Sequence, residues 1–258
     1  MRVKTYLIAD LIDDENSSDD SLSIYIDVLR ASTTVCAALY NGAKEVIPVD
    51  SMDKAIIIHK NLSDDISVLA GERKGKKPLG FHFGNSPGEF TEKDIKDKTI
   101  VLTTSNGTKA FNKLRKSRVR FLASFVNLDI IVKTINKIVN KEKIYECNII
   151  CAGNDGDFSF EDTLCAGAIM YYLNQNGIEL ELNDSSVLAM EIFDKHKNNL
   201  LDFIKEREHP KLLMDLGFEN DIDEAFSMNK YPVLPVLSAN SIRRGNDNFT
   251  GGVTNNGK

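Results

Sequence analysis

Ile24-Tyr25-Ile26-Asp27-Val28-Leu29-Arg30-Ala31-Ser32-Thr33-Thr34-Val35-Cys36 is the stretch that decides how the chain is read. An apolar, β-prone run over residues 22–26 stops at an acid. A cation follows, and a hydroxyl cluster then opens a helical pattern. In an open α/β sheet, residues just past the carboxyl end of a strand face the ligand crevice, and the next helix start attracts anions through its backbone N–H groups. Asp27 and Arg30 are therefore candidate site residues. A plainer account has Asp27 capping a turn and Arg30 paired with it on the surface, because loop acids and arginines are common surface residues. Function is favoured by the recurrence of the same arrangement down the chain.

Upstream, residues 3–9 alternate enough to form a strand, and residues 10–21 make an acidic, serine-rich loop. Downstream, Ser32, Thr33 and Thr34 are placed to cap a helix through Tyr40, which Asn41-Gly42 stops. Residues 45–50 read as a strand whose Pro48 suggests an edge or a bulge. Ser51 caps a helix over 52–62, and a strand over 66–70 ends at Gly71-Glu72-Arg73. Strands alternating with helices in this way predict parallel pairing and right-handed crossovers.

The pattern breaks over residues 74–91, where glycines and Pro87 punctuate a stretch holding Asn85 and Ser86. Loops of this length inside a compact domain are functional or disordered, and Phe81 and Phe83 argue for order. A strand over 99–103 leads into Thr104-Ser105-Asn106-Gly107-Thr108. Asn-Gly is a strong hairpin signal, but the following run is helical, so a strand-to-helix anion turn is the better reading. A strand over 119–123 ends at Ser124 and Asn127. Another over 147–151 ends at Asn154, Asp155 and Asp157, and Ser159 with Asp162 has capping-box spacing.

After Gly177 the character shifts. Residues 185–208 read as one long amphipathic helix, with shorter helices at 210–216 and 221–228. A last strand covers 233–237, and Arg243-Arg244 opens a tail. The expected fold is α/β, a three-layer sandwich with a mainly parallel sheet and a helical C-terminal third. It forms a single domain over 1–258, with sub-lobes 1–178 and 179–258 as the alternative.

Composition bounds the partners. The 258 residues are 42% hydrophobic and 27% charged, ordinary for a globular protein. A net charge of -6 offers no global basic field for nucleic acid or an anionic membrane. The local basic run of Lys109, Lys113, Arg115, Lys116, Arg118 and Arg120 lacks interleaved aromatics, so a solvated helix face followed by a strand explains it. No apolar run reaches membrane-span length, and the first residues lack signal-peptide character, so a cytoplasmic location is expected. The four cysteines, Cys36, Cys147, Cys151 and Cys165, read as reduced, mostly buried thiols without zinc-site spacing. For Cys36, packing is a better account than nucleophilic chemistry. Self-association stays open: the chain is compatible with a homo-oligomer.

The strand ends collect chemistry: Asp27 and Arg30, Glu72 and Arg73, Thr104 to Thr108, Ser124 and Asn127, Asn154 and Asp155, then Glu161 and Asp162 at the next helix start. Carboxylates bind a hard metal and arginines fork onto oxyanions, so together they suit an anionic substrate held with a divalent cation. Glu161 and Asp162 have a structural explanation as well, since acids stabilise a helix N-terminus by ~0.3–1 kcal/mol each. Of the histidines, His82 and His209 are candidates for the site, whereas His59 and His196 read as helix-surface residues. There is no nucleophile elbow for acyl transfer.

Five ordered blocks carry a family resemblance: Asp27-Val-Leu-Arg-Ala-Ser-Thr-Thr34, Gly71-Glu-Arg73, Gly80-Phe-His-Phe-Gly-Asn-Ser-Pro87, Leu102-Thr-Thr-Ser-Asn-Gly-Thr108, and the run from Cys151 to Gly167. They closely resemble the signature blocks of the 2-phosphosulfolactate phosphatase family. A weaker match includes His209, Gly217 and residues 232–237. Within those blocks Ser32 and Ser105 stand for a more usual threonine, Lys74 and Lys76 alter a glycine-rich stretch, and His82-Phe83 replaces a common Asp-Leu.

The resemblance implies a Mg2+-dependent phosphatase converting (R)-2-phospho-3-sulfolactate to sulfolactate and phosphate, a step toward coenzyme M. In that setting Asp27, Arg30, Glu72 and Asp155 are the catalytic candidates, and Asp27, Glu72, Glu161 and Asp162 are the candidate magnesium ligands. Arg30, Arg73, Asn85, Ser86, Ser105, Asn106, Gly107, Thr108 and Asn127 are the candidate substrate contacts. Arg73 is assigned to the sulfonate or carboxylate, and Arg30 and the 105–108 turn to the phosphate. Asp27 begins Asp-Val-Leu, not the Asp-x-Asp of haloacid-dehalogenase-type phosphatases, which favours attack by water over a phosphoenzyme. The competing readings are a phosphatase for another phosphorylated 2-hydroxycarboxylic acid, and a non-catalytic sensor of an anionic metabolite.

Overall fold

Every side chain of β2 (Ser21–Ile26) is buried, and parallel partners flank it on both sides. That is why the run is apolar throughout instead of alternating. The computed structural model describes residues 1–12, 20–104, 117–246 and 249. Around β2 the other strands are β1 (Arg2–Tyr6), β3 (Glu45–Val49), β4 (Ser67–Gly71), β5 (Thr99–Thr103), β6 (Val119–Ala123), β7 (Glu146–Cys151), β8 (Glu181–Leu182), β9 (Pro235–Ser238) and β10 (Ser241–Arg244).

Among the described residues these form one 10-stranded sheet in the order β4-β5-β3-β10-β9-β6-β2-β7-β1-β8. Two parallel blocks, β4-β5-β3 and β6-β2-β7-β1-β8, are joined by an antiparallel hairpin. In it, β10 meets β3 through Ile242 and Val46, and β9 meets β6 through Val236 and Phe121. The sheet is therefore large and mostly parallel. Arg243-Arg244 belongs to β10 and not to a tail: Ile242 is fully buried between the blocks, and Arg243 clasps Glu45 at 2.7 Å. Pro48 lies beyond Val46, where the ladder with β10 has ended, so β3 tolerates it as an edge would.

The main helices are α1 (Ala31–Tyr40), α2 (Met52–Leu62), α3 (Glu92–Ile95), α4 (Leu128–Glu142), α5 (Phe160–Gln175), α6 (Asp184–His196), α7 (Leu200–Lys205), α8 (Glu208–Asp215) and α9 (Glu219–Ala225). Leu22, Ile24 and Ile26 of β2 pack in one apolar cluster with α4 and α5, while Tyr25 packs in a second with α1. Both faces of β2 are thus covered.

The long helix expected over 185–208 is instead α6, α7 and the start of α8. Asn199 breaks the first join, and Pro210 is accommodated only because a new helix begins at Glu208 and places it in the first turn. The hydroxyls of Ser32, Thr33 and Thr34 do not cap α1. Asp27 does, its Oδ1 accepting the Ala31 N–H at 3.0 Å. Ser32 Oγ accepts the Asp27 N–H, and Thr33 and Thr34 donate to the carbonyls of Val28 and Asn85. Nor do Ser159 and Asp162 form a capping box; Ser124 and Asn127 do. His59 is buried and not on a helix surface, its ring held between Ser67 Oγ and Asp64, each at 2.8 Å. All four cysteines are free and buried, as expected, and burial pushes the Cys147 thiol up to about 12.

Candidate active site

Asp27 follows the last residue of β2 and is only 7% exposed. One oxygen caps α1, and the other faces the Tyr25 hydroxyl at 3.4 Å. Burial raises its carboxyl to about 6; the Ala31 N–H and His209 oppose that rise, while the charges of Glu72 and Glu161 add to it. A carboxylate under this pressure is stabilised by any cation that reaches it.

Glu72 arrives from the end of β4 through a glycine that only glycine could replace. Gly71 has φ +147, and a Cβ there would meet the Thr103 carbonyl oxygen at 2.0 Å. The close approach lets the Glu72 N–H bond Thr103 O at 3.0 Å, and Glu72 Oε2 in turn accepts the Gly75 N–H at 2.8 Å.

Arg30 is 4% exposed and does not pair with Asp27. Its guanidinium donates to Asp221 Oδ2 at 2.7 Å and to Gly75 O at 2.9 Å, beneath the Phe218 ring at 4.2 Å. Ser86 Oγ bonds the other Asp221 oxygen. Asp221 lies in α9, far along the chain, and nothing in its local sequence marks it.

Glu161 and Asp162 open α5 and are both 2% exposed. Asp162 accepts the Val28 N–H at 2.8 Å and the Gly153 N–H at 3.1 Å, tying the segment after β2 to the one after β7. Burial, with the charges of Asp27 and Glu161, holds its carboxyl well above the usual range. Glu161 Oε1 meets His209 Nδ1 at 2.5 Å. Burial works against the His209 imidazolium, but the bond and charge of Glu161 outweigh it and raise its pKa.

An open cleft holding about 80 Å³ of solvent space brings these ends together. Asp27, Arg30, Glu72, Asn85, Thr104 and Asp155 line one part, with Lys74 and His209 beside them, and Leu212, Leu213 and Leu216 form an apolar wall. Asn85 Oδ1 is fully buried and has no hydrogen-bond partner among the described residues.

Other sequence candidates sit elsewhere or are occupied. Arg73 does not line the cleft; it donates to Glu72 O at 2.7 Å and to Thr103 Oγ1 at 2.8 Å. Asn127 is wholly buried, its amide used by Ser124, Leu122 and Val233 of the main chain. His82 accepts the Leu69 N–H at 2.9 Å and holds its loop to β4. Ser105, Asn106, Gly107 and Thr108 lie outside the described residues.

Among the described residues no three His, Cys, Asp or Glu side chains converge to hold a metal unaided. A small hard cation does not require that, since it is bound through one or two carboxylates, with waters and phosphate oxygens completing the shell. Asp27 and Glu72 are hard oxygen donors in one cleft that Asn85 also lines, so the donor set fits such an ion.

An α/β sheet whose strand ends gather acids and a fixed arginine in one cleft is the frame of an anion-processing enzyme, and the comparisons narrow the class to phosphoric monoester hydrolases. The model of the family described as 2-phosphosulpholactate phosphatase matches residues 6–240. A probable 2-phosphosulfolactate phosphatase of Caldanaerobacter subterraneus subsp. tengcongensis is 36% identical over 247 residues, covering 96% of this chain and 100% of that protein. One of Thermotoga maritima is 40% identical over 215 residues, covering 83% of this chain and 88% of its own. The chain belongs to the 2-phosphosulfolactate phosphatase family. Among the described residues, no helix is long and apolar enough to cross a membrane.

Proposed function

We propose that the chain is a Mg2+-dependent phosphatase that hydrolyses (R)-2-phospho-3-sulfolactate to 3-sulfolactate and phosphate, a coenzyme M-type biosynthetic step. In a member of this family, the reading is carried by the sharing of one cleft by Asp27, Arg30, Glu72 and Asp155. We place the enzyme in the cytoplasm, a compartment that keeps its four thiols reduced.

Asp27 and Glu72 would hold Mg2+, which supplies positive charge against the phosphoryl oxygens when bound. The rest falls to the chain's own side chains. Arg30, aimed by Asp221, donates charge-assisted hydrogen bonds to the phosphoryl group, whose charge spreads over its equatorial oxygens in the transition state. Water attacks phosphorus in line and gives up a proton to the phosphate it forms, the bond from phosphorus to the C2 oxygen breaks, and that oxygen needs a proton. His209 lines the cleft with Nδ1 held by Glu161, so Nε2 is the ring atom that delivers it.

Phosphate release from phosphosulfolactate, phospholactate and phosphoglycolate, with Mg2+ and with a chelator, tests this reading. The expected result is Mg2+-dependent turnover with phosphosulfolactate preferred. Preference for another of the esters moves the substrate, and absence of metal-dependent turnover on all of them leaves the sensor reading.

A further inference from the structure

Two sharp turns rise from strand ends on either side of the site. Arg73-Lys74-Gly75-Lys76 follows β4, and Asn154-Asp155-Gly156-Asp157 follows β7. Reciprocal main-chain bonds close each one, at 2.9 and 3.1 Å between Arg73 and Lys76 and at 2.8 and 2.9 Å between Asn154 and Asp157. The central residues are left-handed in both, with φ +51 and +76 at Lys74 and Gly75, and +50 and +93 at Asp155 and Gly156. This is the two-residue type I′ geometry. The leading tip residues, Lys74 and Asp155, line the same cleft and carry opposite charge.

The lysine turn is anchored to the reacting groups themselves. Glu72 Oε2 accepts the Gly75 N–H, and Arg30 donates to the Gly75 carbonyl. Lys74 therefore starts from a backbone position set by the residues that handle the phosphoryl group.

Charge pairing separates it from the other cleft cations. Arg30 is ion-paired with Asp221, and His209 is bonded to Glu161. Lys74 has no acidic partner among the described residues, and the neighbouring Arg73 is tied to Glu72 O and Thr103 Oγ1 outside the cleft lining. The opposite tip, Asp155, repels anions, and the side chains of Leu212, Leu213 and Leu216 offer no donor. Among the described residues that line the cleft, Lys74 is the cation without an acidic partner, and it offers an anionic group beyond the phosphate a place to sit.

We propose that Lys74 is a specificity-determining residue: its ammonium binds a second anionic group, a carboxylate or sulfonate, on a small phosphate ester whose phosphoryl group faces Arg30. The inference rests on the phosphatase reading for the phosphate end and goes beyond it by naming what reads the other end.

The test compares wild type with Lys74→Gln and Lys74→Arg, using phosphosulfolactate and 4-nitrophenyl phosphate with Mg2+ present. A hydrogen bond to a charged group sets the scale, so the ratio of kcat/KM between the two esters should fall roughly tenfold or more in Lys74→Gln. The loss should lie in KM, and Lys74→Arg should recover most of it. An unchanged ratio, or an equal fall on both esters, overturns the proposal.

Calorimetric binding of 3-sulfolactate, which carries no phosphate, gives an independent reading. Weakening of roughly tenfold in Lys74→Gln supports the proposal and unchanged binding overturns it. Should wild type release phosphate from no ester, the phosphatase reading fails, and sulfolactate binding alone decides the role of Lys74.

Discussion

Arg30 Nη1 and Asp221 Oδ2 form an ion pair at 2.7 Å with side-chain exposures of 3% and 6%. The residues are far apart in sequence, and the pair joins the strand-end segment after β2 to the helices that cover the cleft. Phe218 covers the guanidinium face, and Ser86 holds the second Asp221 oxygen. Removing one partner of a buried pair leaves the other charge uncompensated, which typically costs about 3–5 kcal/mol. Asp221→Ala should lose stability on that scale in urea denaturation and should release phosphate far more slowly. A loss near that of an exposed pair, below ~1 kcal/mol, would show that water reaches Arg30 and that Asp221 does not aim it.

Asp27 yields a pH signature in the metal-free protein. Its folded carboxyl titrates near 6, raised mainly by burial, above the ~3.9 of an unfolded aspartate. Between those values the folded state binds more protons than the unfolded one, so stability falls as pH rises through that window. The stability that protonated Asp27 contributes is lost as pH rises through about 6. With chelator present, the melting temperature should drop from pH 5 to pH 7, and Mg2+ should reverse the drop. Asp27→Asn keeps an acceptor for the Ala31 N–H, so it should be more stable than chelated wild type at pH 7, insensitive to Mg2+, and inactive. Near-normal turnover in that variant would remove Asp27 from the mechanism.

Much of this geometry was legible in the sequence, for identifiable reasons. The β2 run and the acid that ends it are local signals, so the fold class and the positions of Asp27, Arg30, Glu72 and Asp155 followed from strand ends in an alternating pattern. What failed was partner choice. Arg30 pairs with Asp221, because α9 reaches it from far along the chain, and no periodicity encodes that contact. The hydroxyls of Ser32 to Thr34 have cap chemistry, but Ser32 Oγ accepts the Asp27 N–H, Thr33 is taken by Val28 O and Ser124 Oγ, and Thr34 by Asn85 O. The β10 strand was lost for a similar reason: four residues ending in two arginines show no strand pattern, and only the gap between β3 and β9 makes them one.

Asp162 separates a structural acid from a metal-binding one. Both its oxygens accept main-chain N–H groups, from Val28 and Gly153. In Asp162→Asn an amide NH2 must face one of those donors, and a buried unsatisfied donor costs about 1–3 kcal/mol. The variant should therefore be destabilised by that amount in denaturant titration, while keeping the Mg2+-induced rise in melting temperature. Intact stability together with a lost Mg2+ response would make Asp162 a ligand instead.

His209 is tested through the leaving group. If Nε2 protonates the departing ester oxygen, its worth depends on how basic that oxygen becomes. The alkoxide of a 2-hydroxy acid is strongly basic and needs the proton, whereas 4-nitrophenolate leaves unaided. General acid catalysis contributes about 10²–10⁴-fold, so His209→Gln should lose roughly 10² or more in kcat on phosphosulfolactate and far less on 4-nitrophenyl phosphate. A purely structural role, in which His209 only holds Glu161, predicts equal losses on the two esters. Glu161→Gln provides the contrast: it keeps an acceptor for His209 Nδ1 but removes the charge that favours the imidazolium. It should reproduce the leaving-group dependence of His209→Gln, and a uniform loss in both variants would assign the pair to packing.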